Sequence, residues 1–103
     1  MYNYVMLIGT VKEIKEEMVV NERTTHILLE CHRPFRNAEG KYDIDVFDVR
    51  IHGFLANMLV EDMMICLPGD KISIKGRLIP SNHDSLCYVE GESIIFMERK
   101  VIE

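Results

Sequence analysis

The feature that most constrains the fold is a strand-like segment at residues 68–78, which follows a turn and is interrupted by a glycine. Pro68 and Gly69 form a turn dipeptide, and the five residues after Asp70 alternate between polar and apolar types. Such alternation is typical of a strand with one buried face. The single Gly76 late in this strand predicts a bulge or a sharp bend, where a Cβ would clash.

A second segment of the same build lies near the N-terminus, where Gly9 interrupts residues 6–11. Two short strands that are each bent at a glycine favour a small closed barrel over a flat sheet. Periodicity and turn signals predict strands at residues 4–16, 24–32, 45–52, 71–79 and 86–97, a helix at 54–67, and polar loops at 33–43 and 80–85. This order is that of the OB-fold, so we expect an all-β, five-stranded Greek-key barrel with one helix between strands three and four, forming a single domain over residues 1–103.

The composition excludes several classes of protein. A hydrophobic share of 48% suffices for one core, yet no stretch approaches the ~20 apolar residues of a membrane span. The N-terminus has no cleavable signal pattern, so we expect a cytoplasmic protein without a membrane partner. The three cysteines form no C-x-x-C pair and the four histidines are scattered, so we expect no disulfide framework, no metal site and no cofactor.

The net charge of the chain is unfavourable for binding nucleic acid, although a local basic face is still compatible with it. A net charge of −5 argues against a generally basic surface, so any local basic face must be assembled by the fold.

The sequence contains no recognisable catalytic motif. The chain has no readable Ser-His-Asp or Cys-His arrangement, and its glycines do not form a phosphate-binding loop. The sequence therefore predicts a protein that is not an enzyme.

Five motifs occur in a fairly specific order and spacing. They lie at residues 3–9, 27–36, 47–53, 69–78 and 92–97. Together they resemble the bacterial single-stranded DNA-binding protein family over nearly the whole chain. The resemblance implies an OB-fold that binds single-stranded DNA with little sequence preference, acts in replication, repair and recombination, and forms a homodimer or homotetramer.

The chain departs from the family pattern in its aromatic residues and at its end. It has no Trp, and three positions that are commonly aromatic in the family are Val46, His52 and His83 here, whereas Phe35 remains aromatic. The family's tail with an acidic tip, which recruits other replication proteins, has no counterpart before the chain ends at Glu103. We therefore expect a short form that lacks tail-dependent partners.

The candidate nucleic-acid contacts are aromatic and cationic, because single strands are bound by stacking on bases and by cations along the phosphates. They fall near the end of strand two, on the outward face of strand three and around the last hairpin. The predicted residues are Arg33, Phe35, Arg36, Arg50, His52, Arg77 and His83. Three alternatives stay open: Phe35 could fold over the core, Arg50 could pair with Asp48 on a solvated face, and His83 could cap a turn.

A candidate subunit interface lies on the first strand. Its apolar residues occupy both faces, because Val5 and Leu7 alternate with the outward set. That set is Tyr2, Tyr4, Met6 and Ile8. One face can enter the barrel and the other needs cover, which a second copy of the chain could provide. Cover by the chain's own helix or C-terminus is the alternative.

A second class of function is also consistent with the sequence. The low number of cations, the missing tryptophans and the acidic middle of the chain favour an OB-fold protein-interaction module or a primosome-like assembly subunit, with weak or no nucleic-acid binding. The sequence does not separate DNA from RNA as the ligand.

Overall fold

A computed structural model of the protein describes residues 2–61, 65–80 and 87–98. Five strands and one helix follow each other in the predicted order. They are β1 (Val5–Val19), β2 (Glu22–Arg36), β3 (Tyr42–His52), α1 (Gly53–Glu61), β4 (Lys71–Pro80) and β5 (Cys87–Glu98).

The strands close into a barrel in the order β1-β2-β3-β5-β4. The only parallel pairing between described strands joins β3 to β5, and it consists of Val49 opposite Val89 and Arg50 opposite Glu90. All other neighbouring strands are antiparallel. A closed five-stranded barrel with a helix between β3 and β4 confirms the predicted all-β OB-fold.

The core fills the inside of the barrel with the faces that the alternation predicted. The buried positions of β2 and β3 include Ile27, Leu29, Val49 and Ile51, each fully buried. The helix α1 lies against β2 and β3 and adds two buried apolar side chains. The full set is Val11, Ile27, Leu29, Cys31, Val49, Ile51, Ala56, Leu59, Cys66, Ile72, Ile74, Val89 and Ile94.

Both glycines that the sequence singled out lie where another strand's backbone comes very close. A Cβ on Gly9 would overlap the carbonyl oxygen of Glu30, and a Cβ on Gly76 would overlap that of Glu90. The β4–β5 register also shifts between Lys75 and Gly76, which confirms the predicted bulge. These close approaches allow β1 and β4 to bend around the barrel.

The structure differs from the sequence prediction at the ends of several elements. β1 continues to Val19 and β2 begins at Glu22, so their strands are longer than the predicted 4–16 and 24–32. Residues 33–36 and 42–43, expected in a loop, are strand, so β2 and β3 continue as a two-stranded hairpin beyond the barrel. Pro34 is tolerated because the β2–β3 register is interrupted between His32 and Arg36.

The helix is shorter than the predicted 54–67. It ends at Glu61, and residues 65–67 lie outside it, where the Asp70 carboxylate accepts a hydrogen bond of 2.9 Å from the Leu67 N–H. In the part of the chain that the structure describes, no helix is both long and apolar enough to cross a membrane.

Candidate nucleic-acid interface

The β2–β3 hairpin beyond the barrel, residues 33–45, forms what we call the arm. Its strands are joined at Arg36 and Tyr42, which lie opposite each other. Asn37 organises the turn between them, because its side-chain oxygen accepts hydrogen bonds from the N–H groups of Glu39 (2.9 Å) and Lys41 (3.0 Å). The tip of the arm is therefore held by local hydrogen bonds, as expected for an Asx-type turn.

The arm presents aromatic side chains to solvent. Phe35 is 67% exposed and Tyr42 is 49% exposed, so Phe35 does not fold back over the core. The guanidinium of Arg36 lies over the ring of Tyr42, 5.5 Å from its centroid. Phe35 and Arg36 are successive strand residues, whose side chains point to opposite faces, so Phe35 and the Arg36–Tyr42 pair offer a ring on each face of the arm. Exposed rings and cations are the groups that hold a single strand by stacking. The role of Phe35 and Arg36 in binding stays a prediction.

Arg33, the third predicted residue of the arm, is engaged within the chain. Its Nε donates to both Asp45 oxygens at 3.2 Å, and its Nη2 donates to Asp45 Oδ1 at 3.0 Å. Asp43 lies 3.7 Å from its Nη1. The hydrogen bond and charge of Asp45 raise the pKa of Arg33. Phosphate would have to compete with this two-pronged pair for the same donors.

Arg50, His52 and Arg77 meet where the barrel closes, together with two residues of β5. We call Arg50, His52, Arg77, Tyr88 and Glu90 the closure cluster. The guanidinium of Arg50 lies 3.9 Å from the centroid of the Tyr88 ring and 3.3 Å from Asp48, the partner considered in the alternative interpretation. His52 Nδ1 shares a hydrogen bond of 3.0 Å with the Thr24 hydroxyl.

Glu90, the acidic residue of the closure cluster, contacts both Arg77 and His52. Glu90 Oε2 lies 2.5 Å from Arg77 Nη2, and Glu90 Oε1 lies 3.6 Å from His52 Nε2. Arg77 Nε also lies 3.8 Å from Glu92. The predicted cations of this region are therefore already paired with carboxylates of the same chain.

The structure groups the predicted residues into two sets. The arm holds Arg33, Phe35 and Arg36, and the closure cluster holds Arg50, His52 and Arg77. His83 lies outside the described residues. Tyr42 and Tyr88 were not among the candidate residues predicted from the sequence. The pairing register of the strands is the signal that could have found them, because it places Tyr42 opposite Arg36 and Tyr88 beside Arg50.

A neighbouring groove on the outer face of β1 and β2 is acidic. It has a volume of about 490 Å³ and includes Glu13, Glu17 and Asp48 around Leu28. His26 lies between two of these carboxylates, 3.0 Å from Glu17 and 3.9 Å from Asp48. Carboxylates repel backbone phosphates, so this groove is a poor path for a nucleic-acid strand.

The predicted interface residues lie on a different face, formed by the outer sides of β1, β4 and β5. Met6 is 50% exposed and Ile8 is 49% exposed, and Tyr2 and Tyr4 are exposed beside them. Ile8 is opposite Ser73, which is in turn opposite the exposed Ile95. Exposed apolar side chains of β1 and β5 therefore lie on either side of β4, which contributes Ser73 and Lys75 between them.

No protein-family model and no curated protein matches this chain. Solved structures do. The single-stranded DNA-binding protein of Thermus aquaticus superposes with a TM-score of 0.76 at 23% identity, covering 94% of this chain and 50% of that one. A mitochondrial single-stranded DNA-binding protein of S. cerevisiae gives a TM-score of 0.76 at 12% identity, covering 97% and 98%.

The N-terminal domain of PriB from Thermoanaerobacter tencongensis, whose structure is dimeric, gives a TM-score of 0.67 at 21% identity, covering 94% of this chain and 98% of that one. The chain thus spans about half of the Thermus protein but nearly all of the mitochondrial protein and the PriB domain. At these identities the likeness is one of fold. The resemblance to single-stranded DNA-binding proteins is confirmed at that level: the chain has the OB-fold that bacterial and mitochondrial single-stranded DNA-binding proteins share with PriB.

Proposed function

We propose that this protein binds single-stranded DNA with little sequence preference and catalyses no reaction. The observation that carries the proposal is the arm, which holds Phe35 and Tyr42 exposed next to Arg36 on an OB-fold barrel. A base can stack on an exposed ring because every base has a π face, and Arg36 can meet a backbone phosphate. This mode of binding does not require recognition of base edges, so it tolerates sequence.

The described residues offer little support for catalysis. The free thiol of Cys31, on β2, is buried. Burial, with Asp45 nearby, raises the pKa of this thiol, so that it stays protonated and a poor nucleophile near neutral pH. A binding role, in DNA replication, repair or recombination and in the cytoplasm, is the function we propose.

Titration of a fluorescent oligo-dT at several salt concentrations tests the proposal. We expect modest affinity at low salt that falls with salt, with a log–log slope near −0.7 per phosphate neutralised. Oligo-dA and oligo-U in the same assay separate a preference for DNA from one for RNA. Duplex DNA is the control, because its paired bases are not available for stacking on protein rings. Binding that is absent at low salt would contradict the proposal.

A protein-interaction or primosome-like role is the second candidate. The observation that favours it is that Arg33, Arg50 and Arg77 all pair with carboxylates of the chain, which lowers the positive charge that DNA would meet. PriB is also among the proteins of this fold. Absence of oligo-dT binding at low salt, with a folded protein, would make this role the preferred one.

We also propose that the face of β1, β4 and β5, which exposes Met6 and Ile8, joins subunits into a homodimer or homotetramer. Lysine in place of both Met6 and Ile8 should shift the protein toward monomer in sedimentation, because two charged faces repel each other. Phe54→Lys is the matched control, since Phe54 is 80% exposed on α1, away from this face. A wild type that already sediments as a monomer at micromolar concentration would contradict the interface.

A further inference from the structure

Glu90 occupies the position where the barrel closes. It lies opposite Arg50 of β3 in the parallel pairing and opposite Arg77 of β4 in the antiparallel pairing. The backbone of Gly76 packs so closely on the Glu90 carbonyl oxygen that a Cβ there would overlap it. The closing strands therefore fix the backbone that carries this carboxylate, and they place it between two arginines.

Both oxygens of the Glu90 side chain face a cationic or titratable group. One lies 2.5 Å from Arg77 Nη2 and the other 3.6 Å from His52 Nε2. The Glu90 side chain is only 24% exposed, whereas that of Arg77 is 50% exposed. A partly buried ion pair is screened by salt less than one in open solvent. A phosphate that binds Arg77 therefore has to displace Glu90 from this ion pair.

A backbone phosphate and a carboxylate use the same donors of a guanidinium group. Around the closure cluster, three described carboxylates, Asp48, Glu90 and Glu92, face two arginines. A phosphate that approaches Arg77 meets a guanidinium group whose Nη2 already contacts Glu90, and a local charge that is not positive. The carboxylates of the chain thus contact the guanidinium groups that a backbone phosphate would otherwise contact.

We propose that Glu90 is a built-in competitor for DNA phosphate, which holds Arg77 and His52 in the unbound state and lowers the affinity of the closure cluster for a single strand. The inference rests on the proposed function and adds to it the residue that limits its strength. Glu90 acts through Arg77 and His52, so its effect must appear in the number of phosphates neutralised. Removing its charge strengthens binding.

The test compares Glu90→Gln with Glu98→Gln in oligo-dT titrations. Both changes alter the net charge equally, but Glu98 lies at the other end of β5, opposite Lys71. At about 50 mM salt we expect Glu90→Gln to bind about 5-fold tighter, with a log–log salt slope steeper by about 0.7, because one more phosphate contacts Arg77. Glu98→Gln should change affinity less than about 2-fold. Glu90→Asp, which keeps the charge, should stay close to the wild type.

A second arm places Glu90→Gln in an Arg77→Gln background, where the gain in affinity and slope should vanish. Thermal melting checks that each variant folds. If Glu90→Gln melts much earlier than the wild type, Glu92→Gln takes its place, because Glu92 is exposed and lies 3.8 Å from Arg77 Nε. It should bind about 2-fold tighter with a steeper slope.

The outcomes separate this inference from the proposed function. A folded wild type that binds oligo-dT with normal salt dependence, beside a folded Glu90→Gln that binds no tighter, overturns the inference alone. If neither protein binds at low salt, the inference and the proposed function fall together. Tighter binding by Glu90→Gln that persists without Arg77 also overturns the inference, since Glu90 would then act by its general charge.

Discussion

The arm and the closure cluster are both built from aromatic and arginine side chains, yet they differ in what is left for a ligand. In the arm, Phe35 is exposed and Arg36 contacts a ring. In the closure cluster, Arg50 already lies over Tyr88, and Arg77 already pairs with Glu90. The arm therefore offers the exposed ring of Phe35, although its Arg33 pairs with Asp45, whereas the closure cluster offers arginines that must first be released.

The difference follows from where each region lies in the fold. The arm is a two-stranded hairpin beyond the barrel, so Phe35 stays exposed, even though Arg33 pairs with Asp45 across the two strands. The closure cluster lies where β3, β5 and β4 converge, and the register brings acidic and basic residues face to face. Residue types alone predict the same chemistry for both regions, and only strand pairing distinguishes a free cation from an occupied one.

The largest contrast is in stability. Gly76→Ala should cost about 3 kcal/mol or more and lower the melting temperature by over about 12 °C, because its Cβ would overlap the backbone of Glu90. Gly40→Ala, in the arm, has no atom within 4 Å of the new Cβ. Its φ of 77° makes alanine unfavourable by only about 1–2 kcal/mol. Equal decreases in melting temperature for the two variants would contradict the view that the strands are tightly packed at Gly76 and loosely packed at Gly40.

The next effect is on binding. Phe35→Ala should weaken oligo-dT binding by about 1–3 kcal/mol, the usual loss for one stacked base. Its melting temperature should change little, because Phe35 is 67% exposed and leaves no cavity. Phe54→Ala is the control, since it removes another exposed ring from α1. A large drop in melting temperature without a loss of affinity would assign Phe35 to the core and withdraw the arm as a binding site.

The smallest effect concerns the aromatic residue of the closure cluster. Tyr88→Leu removes the ring beneath Arg50 and keeps a smaller apolar side chain at this position. We expect oligo-dT binding to weaken by about 0.5–1 kcal/mol, the usual range for an exposed cation–π contact, because Arg50 loses the surface that orients it. A loss as large as that of Phe35→Ala would show that the closure cluster, not the arm, is the main stacking site.

The sequence predicted most of the fold because the barrel depends on local signals. Alternation identified the buried faces of β2 and β3, and the isolated Gly9 and Gly76 marked the bends. The arm was missed as a strand because its residues are polar and contain Pro34, both typical of loops. Its extended shape comes from the pairing of Arg36 with Tyr42, which no single segment encodes.

The candidate site was predicted less completely, and the reason is also physical. Arg33, Phe35 and Arg36 could be chosen by residue type and position, and Phe35 is indeed exposed. The partners Asp45 of Arg33 and Glu90 of Arg77 lie on neighbouring strands, at distances in sequence that depend on register. Ion pairs across strands are a property of the assembled sheet, so a sequence read strand by strand overestimates the free positive charge.

The most direct test of the account maps the strand onto the protein. Oligo-dT titrated into isotope-labelled protein, followed by NMR, should shift the backbone amide signals of the arm first and most strongly, residues 35, 36 and 42 above all. Smaller shifts should follow at Arg50 and Tyr88, and the acidic groove around Leu28 should stay unchanged. Shifts that are concentrated in that groove or on the β1–β4–β5 face, or a spectrum that DNA does not change at low salt, would contradict the account.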